Sequence, residues 1–446
     1  MRRRTRPRQR SNMASISGLS AKARAALLAR MSQRKPDQQA ETPAGRRGFG
    51  DLPGMKEHDM LRSAIETLNL RSPFFREHDG IAAGHSRMGN REVVNFSSYN
   101  YLGLNGHPRV AEAAKSAIDR YGISVSASRL VSGERPIHAE LEAALAKLHG
   151  AEAAIAMVSG HATNVTTIGQ MMGPRDLILH DAAIHNSCLE GARLSGARRV
   201  AFAHNDWQAA GRELAAARAG ASKVLILIEG HYSMDGDTPD LARFIALARQ
   251  YDAWLMVDEA HSVGVLGATG RGIAEAQGID PAEVDIWMGT LSKTLSACGG
   301  YIAGSRVLVD WLRHAAPGFI YSVGLAPALA AAAIESIRLM QAEPERVAKL
   351  NANAALFTRL AREAGLDTGA SEGHAIVPVI LGSSLRAVRL SEALFQAGLN
   401  VQPIIFPAVP EKSARLRFFI SADHSEEDIR FAVKTVAETN ASLGQV

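Results

Sequence analysis

Two short stretches hold the residues best suited to chemistry. Asp258-Glu259-Ala260-His261-Ser262 closes the apolar run 254–257, and about thirty residues later Gly289-Thr290-Leu291-Ser292-Lys293 closes the run 284–288. One stretch offers a carboxylate and an imidazole, the other a lone lysine beside hydroxyl residues. A lysine amine can hold an aldehyde as an imine. A carboxylate can pair with a protonated pyridine nitrogen and keep that ring an electron sink. Together they equip the chain to use pyridoxal 5'-phosphate (PLP), with Lys293 and Asp258 as catalytic candidates and Thr290 in reach of the phosphate. Asp258 buried at a strand end without a cation would be costly, and its pKa would rise. A pyridinium supplies the missing charge. The competing reading is a metal site made with Glu259 and His261. It is the weaker one, because neighbouring residues at a strand end point in different directions, and no metal is expected.

Other candidates lie at similar positions. Ser159-Gly160-His161-Ala162-Thr163-Asn164 follows the run 153–158 and opens a helix. Backbone N–H groups at such a start cradle phosphate, which makes Gly160 and His161 cofactor candidates; alternatively Ser159 is only a cap. His185, in His180-Asp181-Ala182-Ala183-Ile184-His185, is either a structural histidine or a flat ring that stacks on the cofactor and steers a substrate carboxylate. Ser233 follows the run 224–228 and is either a turn residue ahead of Asp235-Gly236 or a site residue. Arg417, between Leu416 and Phe418, needs an anionic partner. That partner is an internal carboxylate or the carboxylate of a substrate.

The elements that must position these residues form an α/β pattern. Short apolar runs at 153–158, 177–179, 200–203, 224–228, 254–257, 286–288 and 301–303 alternate with helices. Runs apolar on both sides suit a mostly parallel sheet covered on both faces, in a three-layer α/β/α domain. A long helical zone at 326–365 leads to strands at 375–381, 401–405 and 416–420 and helices at 385–398 and 426–443. The expected organisation is a basic tail (1–55), a helix and irregular lead-in (56–95) with turns at Ser72-Pro73 and Gly89-Asn90, a large domain (96–330) and a smaller α+β domain (331–446).

Charge is divided unevenly. The net +5 conceals a tail of thirteen Lys or Arg against two acids in residues 1–50, while 37 basic and 43 acidic residues leave the remainder at −6. The basic character belongs to the tail. The tail reads as a disordered arm or the product of an early start codon (Met13 and Met31 are alternatives). An acid-poor import peptide, or an arm for an acidic protein or membrane surface with residues 20–34 as an amphipathic helix, are the other readings. No helix-turn-helix or zinc-finger spacing occurs, so nucleic acid is not an expected partner. Two cysteines, Cys188 and Cys298, imply no disulfide framework and suit a reducing cytoplasm. No apolar run reaches the ~20 residues that span a bilayer, so any membrane contact would be peripheral, at the inner surface.

These motifs together resemble the α-oxoamine synthases, fold-type I PLP enzymes that condense an amino acid with an acyl thioester. The likeness runs from about residue 92 to the C-terminus. It rests on Ser98-Tyr99-Asn100-Tyr101-Leu102-Gly103, Ser128-Arg129 with Ser132-Gly133, His138-Ala139-Glu140-Leu141-Glu142, the stretches 229–236 and 258–262, Gly270-Arg271-Gly272, the stretch 289–293, and Arg415-Leu416-Arg417. Within the family, Glu229-Gly230 ahead of Tyr232-Ser233-Met234, and Leu291-Ser292-Lys293, lean toward the serine palmitoyltransferase branch. The aminooxononanoate synthase, aminolevulinate synthase and 2-amino-3-ketobutyrate ligase branches share most of the same letters. An aminotransferase on the same fold is a more distant alternative. The resemblance implies that Lys293 forms the imine and acts as acid–base, that Asp258 meets the pyridine nitrogen, and that His261 bonds the phenolic oxygen. It further implies that His185 stacks on the ring, that Ser233 and Thr290 hold cofactor oxygens, and that Arg417, with Asn100 and His185, receives the amino acid. It implies a homodimer, and an acyl donor carried by CoA or acyl carrier protein. With serine and a long acyl chain the product would be a 3-keto long-chain base. His161, His231 and Val323-Gly324 depart from the family pattern, at the phosphate contacts and the acyl pocket.

Overall fold

A computed structural model describes residues 48–56, 59, 62–63 and 72–444. The chain divides into two units, residues 1–69 and 70–446. In the first, the described residues include a short 3-10 turn, Phe49–Asp51, and helical positions at 55–56, 59 and 62–63. The Arg-rich arm, its amphipathic stretch 20–34 and most of the helix expected from residue 56 lie outside the described residues.

The second unit begins with a hairpin, β1 (His85–Met88) and β2 (Arg91–Asn95), paired antiparallel. The central strands follow: β3 (Ala153–Met157), β4 (Leu177–Asp181), β5 (Arg198–Phe202), β6 (Val224–Glu229), β7 (Trp254–Asp258), β8 (Ile286–Thr290) and β9 (Gly300–Gly304). They form one sheet in the order β3-β9-β8-β7-β6-β4-β5. Only β9 runs antiparallel to its neighbours. Every residue of β4 and β6 is buried, the signature of a sheet covered on both faces. Two apolar clusters flank it, one containing Leu179, Ile226 and Val257 and the other Ile178, Leu225 and Met256. Alternate residues of the same strands thus fill opposite layers.

Asp258 and Thr290 are the last residues of their strands, since β7 and β8 run on past the apolar runs. Continuous pairing carries Glu229 to the rung beside Asp258, so the strand ends are rigid platforms. The long helical zone is two helices, Pro327–Ala342 and Glu345–Glu363, broken at Glu343-Pro344 because proline cannot continue a helix interior.

The C-terminal part adds β10 (Ile376–Ile380), β11 (Leu399–Asn400), β12 (Gln402–Ile404) and β13 (Arg415–Phe419). The strand expected over 401–405 is β12, and a separate two-residue strand, β11, precedes it in another sheet. β11 pairs parallel with β2, and β12 pairs antiparallel with β13 in the order β10-β13-β12. The segment expected as an irregular lead-in therefore supplies the hairpin that anchors β11. No helix among the described residues is long and apolar enough to cross a membrane.

Candidate active site

The carboxyl ends of β6, β7 and β8 open onto a cavity of about 320 Å³, where ligands sit in open α/β sheets. His185, Glu229, Asp258, His261, Lys293 and Arg417 line it, joined by Gly160, His161, Ser233 and Thr290. Of the residues expected to hold cofactor or substrate, Asn100 is the one set apart. It lines an adjoining cavity of about 260 Å³ that shares Tyr99, Ser292 and Lys293 with the first.

Asp258 is buried and held from two sides. The Ala260 N–H donates to Oδ1 at 3.0 Å and Asn164 Nδ2 donates to Oδ2 at 2.9 Å. The same Asn164 amide nitrogen donates to Ser187 Oγ at 2.9 Å, and Ser187 Oγ lies 2.7 Å from His185 Nδ1. One asparagine thus links the strand-end carboxylate to His185, the cap of the helix Asn186–Ser195. Asn164 carried no role in the sequence reading. Its signal was its spacing, since four residues past Gly160 places both on one face of a helix.

Lys293 sits in the loop after β8, with Nζ 5.5 Å from the centre of the Tyr99 ring. Burial lowers its pKa to about 8, while Asp258 and Glu229 act to raise it. A neutral amine, the nucleophilic form, is therefore reached close to neutral pH. His261 is tied through Nδ1 to the Tyr101 hydroxyl at 2.7 Å. Burial holds it well below the usual histidine range, which keeps the imidazole neutral. Burial also lowers the pKa of His185.

The helix Gly160–Met171 starts at the cavity wall, capped by Ser159, whose Oγ accepts from the Ala162 N–H at 3.3 Å. The first N–H groups of such a helix lack intrahelical partners and attract anions. A Cβ at Gly160 would lie 2.8 Å from Thr290 Oγ1, so glycine is what allows helix start and strand end to meet. Thr290 Oγ1 donates to the Gly299 carbonyl at 3.0 Å and accepts from the Ser292 N–H at 3.2 Å. His161 is exposed, its ring edge-on to that of His185 at 6.5 Å.

Arg417 comes from β13. Its Nη1 donates to the Ser233 carbonyl at 2.7 Å, its guanidinium lies 4.7 Å over the Phe419 ring, and its Nε has no partner. Burial lowers its pKa. Among the described residues it makes no ion pair; the internal salt bridge goes to Arg415, whose Nη1 meets Asp235 at 2.5 Å. A half-buried guanidinium without a carboxylate partner is suited to receive one. Glu259 turns away from Asp258 and accepts from the Ile273 N–H at 3.1 Å. The trio considered for a metal is not assembled, and among the described residues no group of three or more His, Cys, Asp or Glu gathers as a metal site would.

These groups fit PLP: an amine of lowered pKa, an anchored anion beside it, a neutral imidazole, and a helix start that only glycine lets approach. The aminotransferase class I and II family model matches residues 91–436. The chain is 44% identical over 400 residues to an 8-amino-7-oxononanoate synthase of Geobacter sulfurreducens, covering 89% of this chain and 98% of that protein. The chain belongs to the α-oxoamine synthase family.

This α-oxoamine synthase is PLP-dependent and has the fold-type I architecture. An 8-amino-7-oxononanoate synthase of Methylobacterium nodulans is 43% identical over 354 residues, covering 79% of this chain and 89% of that protein. Among solved structures, a serine palmitoyltransferase of Sphingomonas wittichii superposes with TM-score 0.85 at 30% identity, covering 89% and 99% of the two chains. A serine palmitoyltransferase from S. paucimobilis gives 0.85 at 27%, covering 90% and 100%. The lean toward the serine palmitoyltransferase branch is therefore not carried by sequence. That branch is similar in shape, whereas the closer sequence likeness is to 8-amino-7-oxononanoate synthases.

Proposed function

We propose that the chain is an 8-amino-7-oxononanoate synthase. The product's name dictates the substrates. A nine-carbon acid with a ketone at carbon 7 and an amine at carbon 8 is a seven-carbon diacid chain joined to a two-carbon amine. The first part is a pimeloyl thioester, on CoA or an acyl carrier protein. The second is alanine after loss of its carboxyl group. The observation that carries this reading is 44% identity spanning nearly the whole of such an enzyme.

Each residue has a part in the reaction. Arg417 would bind the amino acid carboxylate, His185 would pack against the cofactor, and Asp258, fixed by Asn164, would balance the cofactor's positive charge. When bound, PLP supplies the electron sink that stabilises charge at the amino acid Cα. Lys293 Nζ takes the Cα proton, Cα bonds to the thioester carbonyl carbon, the thiol leaves, and the carboxylate departs as CO₂. Lys293 returns the proton to Cα. Gly160 and Thr290 would shape the anion cradle, Ser233 and His261 would hold cofactor oxygens, and Asn100 borders the lysine from the adjoining cavity. A homodimer belongs to this reading, with size in solution as its check.

The test is product mass after incubation with alanine or serine, each with pimeloyl or long-chain acyl donors on CoA or carrier protein. Alanine and pimeloyl thioester should give 8-amino-7-oxononanoate. Amino-group transfer without thiol release would point to an aminotransferase instead.

One observation favours a second reading, serine with a long uncharged acyl chain. Beside Arg417 lies an apolar cavity of about 450 Å³ walled by Phe74, Phe75, Tyr99, Pro403, Ile404 and Phe419. Among the described residues its wall holds no cation other than Arg417 for a distal pimeloyl carboxylate. A 3-keto long-chain base as the preferred product would establish this reading over the first.

A further inference from the structure

Glu229 lies in the cavity wall with no part in the reaction above. It ends β6 on the rung beside Asp258, so two strand-end carboxylates stand side by side. The residue is 3% exposed. Oε2 accepts from the Ser233 N–H at 3.1 Å, and Oε1 is buried without any partner. Among the described residues no cation comes within ion-pair distance of it. Asp258 on β7, Lys293 after β8, Cys188 on the helix Asn186–Ser195, Tyr232 in its own loop and Arg417 on β13 interact with it electrostatically, while the backbone N–H groups of Ser233 and His185 act to lower its pKa.

A buried carboxylate with no cation and one bare oxygen is a costly arrangement. Asp258 differs, since both of its oxygens accept hydrogen bonds. Of two neighbouring carboxyl groups, the one with fewer donors keeps the proton. Burial, then Asp258, push the Glu229 pKa up to about 8, in the same sense as the geometry.

We propose that Glu229 is a neutral carboxylic acid in the working enzyme and donates its proton from Oε1, as a hydrogen bond, to an anionic oxygen in the cavity. Two oxygens qualify in this PLP reading, the phenolic oxygen of the cofactor and the carboxylate of the amino acid. Either is better held by a neutral donor than by a second anion beside Asp258. The inference rests on the PLP reading only for the identity of the acceptor; the protonation of Glu229 is independent of it.

Infrared difference spectra of the apoprotein and the PLP-loaded protein, wild type minus Glu229→Gln, test this. A carboxylic acid C=O band absent from the variant should be present at neutral pH and fade as pH rises past about 8. A carboxylate signal alone at neutral pH overturns the proposal, and because the apoprotein shows it too, that failure is distinct from failure of the PLP reading. Thermal stability of the apoprotein gives a second readout. An acid whose folded pKa is raised binds its proton more tightly when folded, so its contribution to stability falls as pH rises from about 4 to about 8. Glu229→Gln should flatten that part of the profile; an unchanged slope overturns the proposal. Glu229→Gln keeps a donor and should retain cofactor affinity and amino acid KM, whereas Glu229→Ala should weaken one of them about tenfold. Weakened cofactor binding identifies the phenolic oxygen, and a raised KM the carboxylate. Equal loss in both variants overturns the donor role.

Discussion

Asn164 and Asp258 are joined by a 2.9 Å hydrogen bond that ties a helix start to a strand end. Because the same amide nitrogen also reaches Ser187 Oγ, which bonds His185 Nδ1, it fixes both the Asp258 carboxylate and the His185 helix cap. Asn164→Ala should weaken PLP affinity by roughly 10- to 100-fold, the ~1.5–3 kcal/mol of a hydrogen bond to a charged group. The helix should stay folded. Cofactor titration followed by absorbance, with circular dichroism as control, checks this.

The lowered pKa of Lys293 gives capture of PLP a definite pH dependence. The amine reacts in its neutral form, so the rate at which apoprotein takes up PLP should rise as pH passes through about 8. Asp258 acts to raise that pKa, so Asp258→Asn should shift the rise to lower pH. Stopped-flow absorbance across pH reads both. The linkage for stability has the matching sign. A lysine whose folded pKa is depressed binds its proton less tightly when folded, so it destabilises the apoprotein below about 8, and that cost is relieved as pH rises toward the unfolded value near 10.4.

Among the described residues Arg417 has no carboxylate partner, so its contribution should be to binding the amino acid. Arg417→Ala should raise the amino acid KM by at least about 30-fold, the ~2 kcal/mol or more lost with one member of a buried charge pair. The KM for the thioester should move much less. Steady-state kinetics with each substrate varied in turn separates the two.

The close approach of Gly160 to Thr290 leaves no room for a methyl group. Gly160→Ala should displace the helix start or the Thr290 hydroxyl and raise the dissociation constant for PLP by about tenfold. Free pyridoxal, which lacks the phosphate, should be bound almost as before. Comparing the two ligands by fluorescence titration decides whether the helix start is the phosphate cradle.

Most of the central site was legible because strand ends in this architecture announce themselves. A buried apolar run followed by Asp258, and another followed at short range by Lys293, leave little freedom about where those side chains go. What was not legible depended on partners distant in sequence. The hairpin His85–Asn95 carries His85, Arg87, Arg91 and Glu92 and offers only Val93 and Val94 as adjacent apolar residues; its strand character comes from pairing between its two arms and of the second arm with Leu399–Asn400. The short strand just ahead of 401–405 has the same origin, since Leu399 and Asn400 pair with Val94 and Asn95 far back in the chain. Asn164 and Tyr101 stood within quoted motifs, yet only folding brings them to Asp258 and His261. Glu229 was hidden for another reason. A glutamate at a strand end reads as a polar turn residue until its register beside a second buried carboxylate is known. The readings of the tail lie outside the described residues.

The claim on which the rest depends is that Lys293 is the residue that bonds PLP. Borohydride reduction of the PLP-loaded protein, followed by peptide mass mapping, tests it most directly. The account predicts one phosphopyridoxyl group per chain, on Lys293, with none on Lys293→Ala. A label on another lysine, or no label on wild type despite bound cofactor, would contradict it.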